Sequence, residues 1–140
     1  MGLFDIFKSK ASGADSSAAQ FKEAAQRAAA LQQDLANAGC STDEIPQGVG
    51  KFGYEITNPI PVQLPAGRNE YLKSLRLLSG EGFQCSRVGS KGMPNVDGQQ
   101  GTADIVEVRD LGGQLVATLY FSVYHQRNSR KAPEGFTLAV

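Results

Sequence analysis

The apolar positions change their spacing along the chain, and each change marks an element. Phe21, Ala24, Ala28, Leu31, Leu35 and Ala38 alternate steps of three and four, which lines them up as one narrow seam on a helix. Ser17 to Ala38 are strong helix formers, Ser17 and Gln20 have the spacing of a capping box, and Gly39 supplies a stop. The expectation is an amphipathic helix over residues 17–39, its helical part about 33 Å long. Its seam is rich in alanine, which permits close packing but buries little area per residue. Such a helix needs a second surface, either its own domain or another chain.

The rhythm then breaks. Residues 40–66 hold Pro46, Gly48, Gly50, Gly53, Pro59, Pro61 and Pro65, and only Phe52, Tyr54 and Ile56 alternate as a short strand would. Thr57–Val62 must be extended, because each proline fixes its own φ and moves the preceding residue out of the α region. An irregular stretch of this length inside a domain is uncommon and is usually functional. A second helix is expected over Asn69–Leu78, with Tyr71, Leu72, Leu75 and Leu78 on one face, Arg68, Lys73 and Arg76 off it, and Gly80 as its end.

Beyond Gly80 the period is two. Strands are expected over Phe83–Gly89, Thr102–Arg109 and Gln114–His125, the first pair separated by a Gly-, Pro- and Asn-bearing loop through Gly101 and the second by a Leu111-Gly-Gly113 turn. In the last strand Leu115, Ala117, Leu119, Phe121 and Val123 form the core face. Val116, Thr118, Tyr120, Ser122 and Tyr124 form the other, a face either half covered or used for binding. Gly135–Ala139 adds a short edge strand. Helices first and strands later give an α+β fold: an N-terminal helical arm, then an antiparallel sheet of about four strands with the second helix on one face. The chain divides into a flexible tag and linker (1–16), the long helix (17–39) and a globular domain (40–140).

Composition narrows the function classes. With 14 basic and 14 acidic residues in 140, no global field draws in nucleic acid, and no nucleic-acid partner is expected. No apolar run is long enough to span a bilayer, and Met1–Lys10 lacks the order of a signal peptide, so a cytoplasmic location is expected. Leu3, Phe4, Ile6 and Phe7 beside Lys8 and Lys10 make residues 1–10 a sticky segment, read either as folding back on the core or as touching a membrane surface or a partner's groove. Ile6 stands where myristoylation wants Ser or Thr. Cys40 and Cys85, 45 residues apart, have neither metal nor disulfide-framework spacing, and both are read as free thiols. No cofactor or metal is expected.

The densest polar cluster is Tyr124-His-Gln-Arg-Asn-Ser-Arg-Lys131, containing the only histidine of the chain. Arginine offers a planar fork and lysine a point charge, so His125, Arg127, Arg130 and Lys131 are candidates to hold a phosphate or carboxylate, with Thr57 and Asn58 of the Pro-rich segment beside them. A solvated loop after a strand is the other reading. Asp104 and Glu107, three apart, fall on opposite faces of a strand and cannot act as a paired acid and base; both are expected to face solvent. A thiol–imidazole pair of Cys85 with His125 lacks the helix N-terminus that lowers a catalytic thiol. The glycine-bearing loops do not have phosphate-loop spacing.

Gly50-Lys-Phe-Gly-Tyr-Glu-Ile-Thr-Asn-Pro-Ile-Pro-Val62, Tyr71–Arg76 and the stretch from Tyr124-His to Leu138 resemble a group of small bacterial proteins that share the Thr-Asn-Pro-Ile-Pro-Val segment. The resemblance covers about residues 48–138 and implies a bacterial origin and a domain boundary, with no activity attached. The leading expectation is a non-catalytic domain that binds a partner protein or a small anionic ligand. The alternatives are a small hydrolase-type enzyme centred on His125 with Cys85 or Tyr124, and a structural protein self-associating through helix 17–38.

Overall fold

The computed structural model describes residues 2–93 and 101–139, and of residues 2–17 the backbone alone. Among the described residues, two helices and six strands follow in the order α1 (Gly2–Ala38), β1 (Ile60–Pro61), α2 (Leu64–Ser74), β2 (Leu75–Leu77), β3 (Phe83–Gly92), β4 (Thr102–Asp110), β5 (Leu115–Ser122) and β6 (Phe136–Leu138). The chain forms two compact units, Met1–Gln33 and Asp34–Val140. The fold class is α+β, as the patterning predicts. No helix among the described residues is long and apolar enough to cross a membrane.

α1 is longer than its seam. It begins at Gly2 and passes without a break through the segment read as a linker. The segment holds Gly13, Asp15 and three serines, which weaken a helix, but no proline to impose a hard stop. The part of the residue 1–10 reading that concerns side-chain contacts lies outside the described residues.

The sheet has the order β1-β5-β4-β3. β3, β4 and β5 are antiparallel, whereas β1 runs parallel to β5, with Ile60 opposite Phe121 and Pro61 opposite Ser122. The sheet is therefore mixed. Pro61 is accommodated because β1 is an edge strand, where a missing N–H costs no ladder bond. Phe52, Tyr54 and Ile56 do not form the expected strand. Residues 51–57 are turns, in which Gly53 takes φ 79° and its N–H donates to Asn58 C=O at 2.9 Å. Phe52 is buried all the same, so its apolar character reports burial in a turn.

α2 starts and stops five and four residues ahead of the expected Asn69–Leu78. Pro65 occupies its first turn, where its missing N–H is harmless. Leu64 sits at φ 63°, a left-handed conformation uncommon for a residue with a side chain, and its N–H donates to Val123 C=O at 2.7 Å. Leu75–Leu77 leave the helix to pair with the tail as β2, Leu75 opposite Leu138 and Leu77 opposite Phe136. The Gly135–Ala139 stretch thus supplies the short edge strand that its pattern predicts.

Ala117, Leu119, Phe121 and Val123 point into one core with Val106, Val108, Ile60, Val62, Tyr71, Leu75 and Phe136. Tyr71 meets Phe121 edge-on, ring centres 5.5 Å apart, which fixes α2 on that face of the sheet. The first residue of the predicted core face, Leu115, is 50% exposed beside the turn. On the other face Thr118 and Tyr120 are half-buried, Val116 is exposed and Ser122 is fully buried.

Asp104 corrects the expectation of a solvent-facing charge. It is in phase with Val106 and Val108 on β4, is 7% exposed, and is held by Arg68 of α2 and by Arg87 Nε of β3 at 3.3 Å. A carboxylate on a core face survives there because two guanidinium groups answer it, and losing both would leave a buried charge uncompensated. Glu107 pairs with Arg109 at 3.0 Å on the half-exposed face.

Candidate functional site

His125 lies just past β5 and is fully buried. The Cys40 N–H donates to its Nδ1 at 3.0 Å. A backbone N–H can only donate, so Nδ1 is the unprotonated nitrogen. The ring proton sits on Nε2, 2.9 Å from Ser122 Oγ. Gln126 extends the tie, its N–H donating to Cys40 C=O at 3.0 Å and its side-chain amide to the carbonyls of Asn37 and Gly39. The approach is so close that a Cβ on Gly39 would lie 2.0 Å from Tyr124 O. Glycine, chosen by the sequence as a helix stop, serves equally to let the two backbones meet.

Cys40 Sγ lies 3.2 Å from the same Nδ1. Thiol, imidazole and Ser122 hydroxyl have the outline of a nucleophile, a base and a third group that orients it. The outline lacks a working base, because the lone pair that would take the thiol proton already accepts the Cys40 amide. Cys85 sits on β3 with β4 between it and β5, and burial pushes its thiol up, away from the reactive thiolate. His125 therefore acts as a tie between the end of α1 and the end of β5. Both cysteines are free thiols.

The Pro-rich segment and the basic cluster come together. Ser129 N–H donates to Pro61 C=O at 2.9 Å, His125 N–H to Val62 C=O at 3.3 Å, and Gln63 N–H to Asn128 Oδ1 at 2.9 Å. Between them lie two carboxylates that sequence reasoning passed over, Asp43 and Glu44. Arg127 Nη1 is 2.7 Å from Asp43 Oδ1, and the Arg130 backbone N–H donates to the same oxygen at 2.9 Å. Lys131 Nζ is 2.9 Å from Glu44 Oε2 and 4.9 Å from the centre of the Phe52 ring. Asn58, 1% exposed, donates from Nδ2 to Glu44 Oε1 at 2.8 Å and to Gly50 C=O at 2.9 Å; Thr57 Oγ1 donates to Val49 C=O at 2.5 Å.

These contacts set the titration of the two acids. The Arg127 side-chain bond, then the Arg130 amide, hold the Asp43 carboxyl below its ordinary value. Glu44 is lowered by Asn58 first and by Lys131 second. The charges of Arg127 and Lys131 are thus answered within the domain. Of the six sequence-selected residues, His125, Thr57 and Asn58 build the joint, Arg127 and Lys131 neutralise its acids, and Arg130 is left with an exposed side chain.

Arg130 lines a groove of about 490 Å³. α2 contributes Glu70, Tyr71 and Ser74, the 128–132 stretch forms a second wall, and Phe136–Ala139 a third. The volume falls in the range of small-ligand sites, roughly 300–1,000 Å³. Phe136, Leu138 and Ala132 make much of the lining apolar. Tyr71, whose phenol donates to Lys131 C=O at 2.6 Å, is pushed up by burial and remains a neutral donor. Glu70 is bonded to Lys73 at 3.3 Å. No carboxylate lies within ion-pair distance of the Arg130 guanidinium among the described residues. The signal in sequence was the arginine itself; the groove, assembled from three separate stretches, was not visible there.

No group of three or more His, Cys, Asp or Glu residues that could hold a metal ion occurs among the described residues. No family model, curated protein or solved structure gives a significant match to the chain.

Proposed function

We propose that the domain is a non-catalytic binding module whose groove between α2, the 128–132 stretch and β6 takes an acidic ligand with an apolar body. Such a ligand is a short acidic segment of a partner protein or a small carboxylate. The observation that carries the reading is Arg130. It lines a groove of mixed apolar and polar walls and makes no ion pair among the described residues, although its charge contributes to lowering Asp43, while its neighbours Arg127 and Lys131 are paired with Asp43 and Glu44. An arginine fork recognises a carboxylate in two parallel hydrogen bonds, and the apolar walls add the area that small ligands need for affinity. Both strands of the β2-β6 sheet have one open edge, which suits an extended peptide as occupant.

The hydrolase alternative is disfavoured by the engagement of both His125 ring nitrogens. The test is a ligand-observed NMR screen of the full chain against two sets of compounds, small apolar carboxylates and acetylated acidic tripeptides. Binding is expected to fall at least tenfold in Arg130→Ala and to be unchanged in Lys91→Ala. Which set binds more tightly separates the two ligand sources. Hits that bind Arg130→Ala as well as the native chain would overturn the assignment.

A further inference from the structure

Every residue from Ala18 to Asp34 of α1 is exposed, including the seam residues Phe21 at 78% and Leu31 at 60%; of the remaining seam residues Leu35 is half-buried and Ala38 exposed. A single helix in water is marginal without a packed face. Phe21, Ala24, Ala28, Leu31, Leu35 and Ala38 occupy alternating first and fourth positions of three successive heptads. The order of sizes along this seam selects the orientation of a second copy. Two parallel copies in register would stack Phe21 on Phe21 and Leu31 on Leu31, with alanine facing alanine in the three layers between and beyond, which leaves gaps. Two antiparallel copies with Ala28 opposite the partner's Leu31 set Ala24 opposite Leu35 and Phe21 opposite Ala38. Each of the six layers then pairs one large residue with one small one, as dense packing requires.

Charge selects the same orientation. Arg27 and Asp34 both occupy the seventh heptad position, flanking the seam. Residues in that position meet their own kind across an antiparallel pair. In the register fixed by the seam, Arg27 of each copy faces Asp34 of the other, twice by symmetry. In a parallel pair Arg27 would face Gln32, and no ion pair would form. Size and charge are independent features of the sequence, and both are satisfied by one arrangement.

We infer that α1 is a self-association helix, in which two copies of the chain pair antiparallel along the seam from Phe21 to Ala38. The occupant of the exposed face is a second copy of the same helix.

Sedimentation velocity on the full chain over a wide concentration range tests the pairing. The expected result is a concentration-dependent dimer, twice the 14.9 kDa chain mass. Phe21→Glu combined with Leu31→Glu should give a monomer whose denaturant midpoint for the sheet is unchanged. Orientation is read from a charge exchange at two exposed positions. Arg27→Asp should weaken the dimer several-fold, and Arg27→Asp with Asp34→Arg should restore it. A monomer at every concentration, a dimer indifferent to the two glutamates, or a double exchange no better than the single one would each overturn the inference.

Discussion

The seam of α1 and the joint at residues 37–63 and 122–131 are opposite kinds of structure. The seam is regular, exposed except at half-buried Leu35, and made of alanine, leucine and phenylalanine. The joint is irregular and buried, and its contacts run between residues some 60 to 90 positions apart, such as Cys40 with His125 and Asp43 with Arg127. Periodicity reports the first kind because the pattern repeats within one element. It is blind to the second, where each contact occurs once and joins two stretches that have no pattern of their own. The polar residues that looked most like a site in the sequence mostly belong to the joint, and they hold the domain together there.

That contrast can be broken at its most crowded point. Replacing His125 by Ala deletes a fully buried ring and leaves the Cys40 N–H and the Ser122 hydroxyl without their partner. The expected loss is about 3–4 kcal/mol of unfolding free energy, measured by urea denaturation. A variant that keeps its native stability would show that the tie contributes nothing. Gly39→Ala comes next. Its Cβ would meet Tyr124 O at 2.0 Å and His125 Cα at 2.7 Å, both backbone atoms, and about 2–3 kcal/mol should be lost. Gly89→Ala, whose Cβ meets nothing within 4 Å, is the control and should be nearly neutral.

The acidic side of the joint predicts a smaller effect with a definite sign. Asp43 and Glu44 both titrate below their ordinary values of 3.8 and 4.5 in the folded domain. In that window the unfolded chain binds more protons, so the contribution of these acids is complete above those ordinary values. It is lost as the pH falls through the lower folded ones. Both groups are about half exposed and the gain is correspondingly modest. Arg127→Ala should flatten the acid limb of the stability curve by lowering stability modestly at neutral pH, with little change below the folded value of Asp43. An acid limb identical to that of the native chain would remove Arg127 from the account.

Much of the fold was legible. The second to last strand, Leu115–Ser122, shows its core face in the alternation of Ala117, Leu119 and Phe121, and the tail strand shows itself in Phe136 and Leu138. What was hidden has physical causes. The end of α2 at Ser74 depends on a distant partner, since Leu75–Leu77 are good helix residues that pair with Phe136–Leu138 instead. Asp104 was legible in principle, because it is in phase with Val106 and Val108, but its burial depends on Arg68 and Arg87, which no local pattern connects to it. At the site the basic cluster and the Thr57–Val62 segment were both visible. Their neutralisation by Asp43 and Glu44 was not, and it leaves Arg130 as the member of the cluster that lines a groove.

The central claim is most directly tested by following backbone amide shifts of the full chain while titrating acetyl-Leu-Glu-Leu amide, with the glutamine version as control. Saturable shifts are expected at Ser74, Arg130, Thr137 and Ala139, stronger for glutamate than for glutamine and lost in Arg130→Ala. Shifts absent from these residues, or equal for the two peptides, would contradict it.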